Sequence, residues 1–119
     1  MATTAETGKY GEKVAAAFLR RRGYKVLYQN FDTEHGELDI VCRMGELLVF
    51  VEVRTRGSDD FGTPAESIGE DKRNALRYAA DRYLELLDHP EVSTRFDAVE
   101  VLLSEGQIPI CRLQENLFT

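Results

Sequence analysis

Apolar residues recur at two spacings in this chain, and the switches between spacings set the order of elements. From about Thr7 to Arg22 the spacing is helical: Val14 and Phe18 are four apart, with Tyr10, Gly11, Ala15 and Leu19 flanking them. Arg20, Arg21 and Arg22 suit the negative end of a helix dipole, and Gly23 is a natural C′ residue. Residues 1–6 are small and polar and are expected to be disordered. Tyr24 to Tyr28 alternates weakly as a first strand, and Asn30 to His35 reads as a polar connection. Two β-rich runs then flank a turn at Met44-Gly45, which predicts a hairpin. The stretch from Gly57 to Pro64 is a loop, either a flap or plain surface. Ser67-x-x-Glu70 resembles a capping box opening a helix that runs to Asp88 and stops before Pro90. Leu76, Ala79, Ala80, Tyr83 and Leu87 form its inward stripe. Arg95 to Leu103 is a strand, and Gln107 to Leu113 is a last one, placed at an edge by Pro109. The order αβββαββ predicts an α/β fold with a mixed sheet of about five strands flanked by helices, partly parallel because a helix crosses over between strands. No linker divides the chain, so residues 1–119 are expected to form a single domain.

With Met44-Gly45 as the loop, Arg43 faces Glu46, Ile40 faces Val49, Asp39 faces Phe50 and Glu37 faces Glu52. Leu38, Ile40, Cys42, Leu47, Val49, Val51 and Val53 then share one face. The other carries Glu37, Asp39, Val41, Leu48, Phe50, Glu52 and Arg54: apolar near the turn, charged at the far end. Asp39 and Glu52 become diagonal neighbours, roughly 7–8 Å apart at the backbone. Converging carboxylates repel, and a hard divalent cation relieves the repulsion. The plainer reading is a solvated strand end in which Arg54 pairs with Glu37 or Glu52. Glu12 lies at the edge of the first helix's stripe. Lys72, one turn before Leu76, either points toward the acids or snorkels into water, which helix geometry favours. Asp97 shares the parity of Val99 and Val101 and needs a partner, Arg95 or a backbone amide.

Composition narrows this picture. Hydrophobic residues make up 43 % of the 119, enough for a packed core. A net charge of −6 argues against indiscriminate nucleic-acid binding, although basic residues clump at Arg20 to Lys25, at Arg54 and Arg56, and at Lys72, Arg73 and Arg77. Cys42 and Cys111 fall inside predicted strands, without Cys/His clustering for zinc, and read as buried thiols of a reducing compartment. His35 and His89 are expected at the surface. No leader or membrane-spanning run is evident, so a cytoplasmic protein without membrane contact is expected.

Gly11-Glu12, Gly23-Tyr24, Asn30, Gly36-Glu37-Leu38-Asp39, Phe50-Val51-Glu52-Val53, Phe61-Gly62-x-Pro64, Lys72 and Arg95-Phe96-Asp97 occur in that order. From about residue 8 to 118 the chain thereby resembles the YraN-like family of uncharacterised bacterial proteins. That family is similar to the restriction-endonuclease-like superfamily and, within it, to archaeal Holliday junction resolvases. The resemblance implies a restriction-endonuclease-like sheet and a DNA endonuclease acting on branched or structured substrates. It implies Asp39 and Glu52 as ligands of Mg²⁺ or Mn²⁺, joined by the Val53 carbonyl, with Glu12 as a further acid. Arg54 stands where the superfamily has lysine, and arginine cannot serve as a general base. Arg54 would stabilise charge, Lys72 would supply a movable cation, and Arg56, Lys72 and Arg73 would contact phosphates. Glu37 belongs to the motif without a role to transfer. Two other readings stay open: a non-catalytic module binding nucleic acid or protein, and a structural subunit with a salt-bridged strand end. A homodimer is compatible with each.

Overall fold

The computed structural model describes residues 4–57, 69–88 and 90–118. Its elements are α1 (Thr4–Arg21), β1 (Lys25–Asp32), β2 (Glu37–Met44), β3 (Leu47–Gly57), α2 (Glu70–Leu86), β4 (Thr94–Leu103) and β5 (Ile110–Gln114). The strands form one five-stranded sheet in sequential order. Its joints are antiparallel except β3–β4, which is parallel and is the joint that α2 crosses. This is the mixed α/β arrangement and element order expected from the periodicity. The expected flap, the Phe61-Gly62-x-Pro64 motif, Ser67 and His89 lie outside the described residues.

Helix α1 already includes residues 4–6, which composition had marked as disordered. It ends in a Schellman motif: Tyr24 N–H donates to the Leu19 carbonyl at 3.0 Å and Gly23 N–H to that of Arg20 at 3.0 Å, with Gly23 at φ 92°. Its buried arc is centred on Ala15, Ala16 and Leu19, with Val14 and Phe18 on the flanks. Tyr10, expected in the stripe, is half exposed. Helix α2 starts at Gly69 as N-cap rather than at Ser67, with no side-chain cap; Glu70 and Asp71 complement its dipole instead. Leu76, Ala79, Ala80 and Tyr83 are buried as expected, whereas Leu87 sits at the C-cap, exposed.

Strand β1 runs on to Asp32 because Phe31 and Asp32 find partners in Leu38 and Glu37, so the expected connection begins later. The β2–β3 register is offset by two from the expected one: Met44 pairs with Leu47, Cys42 with Val49 and Ile40 with Val51. The loop is Gly45-Glu46, with positive φ only at Gly45, the pattern of a type II′ turn. An offset of two preserves the faces. Ile40, Cys42, Val49, Val51 and, in part, Val53 pack under α1 with Val99 and Val101. Val41, Leu48 and Phe50 pack under α2 with Phe31, Phe96 and Phe118. Leu38 departs from its expected face and joins the α2 layer. It leaves alternation opposite the part of β1 where Asn30 takes a positive φ of 58°.

Asp97, fully buried, receives both expected partners. Arg95 donates to its two oxygens at 2.8 Å each, and the Asn116 amide donates to Oδ1 at 2.9 Å. Arg95 also donates to the Tyr24 hydroxyl at 3.1 Å.

Candidate active site

The acids gather where β2 and β3 part. The described pairing of these strands ends at Ile40–Val51. Just beyond it the Asp39 carboxylate replaces a backbone acceptor: Val53 N–H donates to Asp39 Oδ2 at 2.8 Å. Asp39 is therefore held in the fork by main-chain geometry and is largely buried. Asp39 and Glu52 lie just past the last pair: Asp39 sits on the Val53 amide and lines a cleft with Glu12, Val53 and Thr55, while Glu52 meets Lys72 of α2. Burial, reinforced by Glu37 and Glu52, raises the Asp39 pKa to about 6, against the opposing pull of the Val53 amide and Lys72.

Two close approaches bring the helices to this fork. At Gly11 of α1 an added Cβ would lie 2.0 Å from Thr55 Oγ1, and at Gly36 it would lie 2.2 Å from the Ala75 carbonyl oxygen of α2. Each glycine precedes an acid, Glu12 or Glu37. Glu12 lines a cleft of about 250 Å³ with Thr7, Gly8, Asp39, Val53 and Thr55. Its Oε1 is buried without a hydrogen-bond partner. Burial raises its pKa, and the fields of Asp39, Glu37 and Asp32 add to the shift while Lys9 opposes it. Glu37 is exposed and lines a second cleft with Gly36, Lys72, Ala75 and Leu76.

Lys72 corrects the expectation that it snorkels away. Its Nζ lies 2.8 Å from Glu52 Oε1, whose side chain is 11 % exposed. Burial works to lower the Lys72 pKa, but the hydrogen bond to Glu52 and the fields of Glu52, Asp39 and Glu37 prevail and raise it. Arg54 approaches the other oxygen, Glu52 Oε2, at 3.5 Å. The structure thus sets Glu12, Asp39 and Val53 along one cleft and Glu52 in contact with Arg54 and Lys72, the two sets linked by the fields of Glu52 and Lys72 on Asp39. Arg56 is turned instead toward Glu100, and the Arg73 Nε is buried without a hydrogen-bond partner. Arg112, also against Glu100, was missed by the sequence reading, because only the β4–β5 register brings it there.

Among the described residues no group of three or more His, Cys, Asp or Glu is arranged to hold a metal ion. The fork offers carboxylate oxygens, the donor type that hard cations take, and one of them, on Glu12, is buried without a partner. The Val53 amide is already committed to Asp39. A larger groove of about 510 Å³, lined by Phe31, Tyr78, Arg82, Glu85 and Leu86 among others, has no comparable convergence. Among the described residues no helix is long and apolar enough to cross a membrane.

Residues 11–101 match the model of an uncharacterised protein family, UPF0102. A UPF0102 protein of Syntrophomonas wolfei is 45 % identical over 107 residues, covering 88 % of this chain and 91 % of the relative. One of Moorella thermoacetica is 46 % identical over 105 residues, covering 88 % of each. One of Syntrophus aciditrophicus is 40 % identical over 115 residues, covering 96 % of this chain and 87 % of the relative. Matched across most of its length by the family model and by these relatives, the chain belongs to the UPF0102 family.

Proposed function

We propose that this protein is a metal-dependent, endonuclease-like protein that hydrolyses phosphodiester bonds in DNA, branched or structured DNA included. The observation that carries the reading is the fork itself. Asp39 is fixed there by the Val53 amide with its pKa raised to about 6, and an unpartnered buried oxygen of Glu12 belongs to the same acidic set. The superfamily resemblance supports it as an analogy of fold and motif. Asp39 and Glu52 would hold Mg²⁺ or Mn²⁺, with Glu12 and the Val53 main chain beside them. The ion would supply a water of lowered pKa and screen the phosphate. Lys72, its pKa raised, stays protonated at neutral pH, and Arg54 is always charged, so both serve as cations and neither as a base. Glu12, with its raised pKa and free oxygen, is the carboxylate suited to take a proton.

The test is thermal denaturation with Mn²⁺ and Mg²⁺, alongside cleavage of linear, branched and single-stranded DNA. A metal that binds only the folded state raises the melting temperature. Wild type should respond to metal, and Asp39→Asn or Glu52→Gln should respond less. Unchanged Mn²⁺ affinity in both variants would remove this pair as ligands.

A second reading, a non-catalytic module binding nucleic acid or protein, is favoured by the internal pairing of the acids. Asp39 is satisfied by Val53, and Glu52 is satisfied by Lys72 and Arg54. Metal-independent binding with no cleavage of any DNA form would select it.

A further inference from the structure

A second cleft, of about 250 Å³, runs between α1 and β1, lined by Lys9, Glu12, Lys13 and Arg20 on the helix and by Gln29 and Asn30 on the strand. Glu12 also lines the cleft that holds Asp39, Val53 and Thr55, so the two adjoin. Lys9, Lys13 and Arg20 fall at i, i+4 and i+11, one stripe of the helix. At 1.5 Å per residue the stripe is about 16 Å long. It starts beside the fork, where the charge of Lys9 acts on Glu12, and ends in the last turn of α1. All three cations are exposed, as are Gln29 and Asn30, the latter at φ 58°. Among the described residues no carboxylate forms an ion pair with Lys9, Lys13 or Arg20.

Helix α1 does not need this stripe for its own stability. Lys9 and Lys13 are like charges at i and i+4, a pairing that weakens a helix. An anion lying between them relieves it. The cations expected at phosphates from the sequence are engaged elsewhere, Arg56 by Glu100 and Lys72 by Glu52. On a chain of net charge −6, a cationic stripe that adjoins the acidic fork is where a polyanion can approach. Side-chain amides such as those of Gln29 and Asn30 are donors to phosphate and sugar oxygens. We propose that the cleft between α1 and β1 is the path of a nucleic-acid strand leaving the fork, with Lys9, Lys13 and Arg20 on its backbone phosphates. This rests on the nucleic-acid reading above and adds the direction the strand takes. It also divides the basic run that ends α1. Arg20 lines the cleft, whereas the field of Arg21 reaches Cys111 of β5 and the Arg22 guanidinium stands 5.2 Å from the Phe18 ring centroid.

The experiment is binding of labelled single-stranded and duplex DNA oligonucleotides across a salt series, with melting temperature as the check on folding. It is run in EDTA and again in Ca²⁺, a hard cation that carboxylate sites accept. Each phosphate contact contributes about 0.7–0.9 to the slope of log K against log salt. Lys9→Ala, Lys13→Ala and Arg20→Ala should each lower the slope by about that amount, and Lys13→Arg should keep it. Arg21→Ala should keep the wild-type slope. Each alanine variant removes one positive charge, so a response to overall charge moves all of them together. A strand in the cleft separates Arg21→Ala from the rest. Wild-type binding with unchanged slopes in the three cleft variants, or a fall in Arg21→Ala equal to theirs, overturns the path and leaves the nucleic-acid reading standing. No binding by wild type to either DNA form, in EDTA or in Ca²⁺, even at low salt, overturns the nucleic-acid reading and the path with it.

Discussion

Asp39 is both the acceptor that holds Val53 at the fork and a carboxylate that its surroundings prefer neutral. The raised pKa fixes the sign of its effect on stability. Between the ordinary aspartate value, about 3.9, and about 6 the folded chain holds a proton that the unfolded chain has lost. Stability contributed by that proton is present below the unfolded pKa and disappears as pH rises through 6. Asp39→Asn keeps an oxygen for the Val53 amide and removes the charge. Without metal it should be more stable than wild type at pH 8 by about 1–2 kcal/mol, after allowance for solvent screening, and the advantage should vanish near pH 4. Urea denaturation at the two pH values measures it; a loss of stability at pH 8 would mean that the negative charge itself holds the fork. The two cations at Glu52 separate by chemistry. On the proposed nuclease reading, Lys72→Ala should lower cleavage by about 10²-fold, the scale of one transition-state donor, and Arg54→Lys should retain activity. Cleavage rates read beside melting temperatures distinguish this from a purely structural ion pair, for which Lys72→Ala would shift melting alone.

At the scale of elements, the position of the acids depends on how closely two helices approach the sheet. At Gly36 an added Cβ would meet the carbonyl oxygen of Ala75 at 2.2 Å and its carbon at 2.8 Å, all backbone, so α2 itself must move. Gly36→Ala should cost about 1–3 kcal/mol as overpacking and separate Lys72 from Glu52. Gly11→Ala meets mainly the Thr55 side chain, with Oγ1 at 2.0 Å and Cβ at 3.1 Å. Thr55→Ala should therefore rescue Gly11→Ala, helped by about 1 kcal/mol of helix propensity. Thermal melts of the single and double variants check both, and equal damage from the two glycine substitutions would contradict this account. Such approaches are invisible to periodicity, which predicts which face is buried but not how near its neighbour lies. The same limit explains the hairpin. Alternation identified the two faces, and an even offset leaves faces unchanged, so nothing in the pattern separated the Met44-Gly45 loop from Gly45-Glu46. Leu38 was misassigned because strict alternation cannot show a strand leaving its period, here opposite Asn30 at φ 58°. The choice between the two orientations of Lys72 was not legible because snorkelling describes one helix, while its partner Glu52 comes from a strand 20 positions earlier.

Across the whole molecule, Asp97 joins parts that are distant in sequence, and only half of this was legible: parity demanded a partner, but the chain's return at Asn116 could not be foreseen. Arg95 clamps Asp97 from the same strand and reaches Tyr24 behind α1, while Asn116 brings the last segment onto Oδ1. The Leu117 amide then donates to the Phe96 carbonyl at 2.7 Å. Phe118 stacks on Phe96 at 4.6 Å, with the Arg77 guanidinium of α2 4.9 Å from its ring centroid. One buried carboxylate thereby ties the α1 terminus, the sheet and the α2 layer into a single closure. Two acids of this chain should consequently respond in opposite directions to neutralisation. Asp39 is largely but not fully buried and is repelled by its neighbours, so losing its charge relieves the fold. Asp97 is fully buried and matched by a bidentate guanidinium, so Asp97→Ala strands Arg95 and the Asn116 amide. Breaking a buried pair from one side costs about 3–5 kcal/mol, and Asp97→Ala should lose that much at pH 7. Urea denaturation of Asp97→Ala and Asp39→Asn against wild type measures both signs. A loss below 1 kcal/mol for Asp97→Ala would show that the C-terminal segment is held by Phe118 and the Leu117 hydrogen bond rather than by the carboxylate.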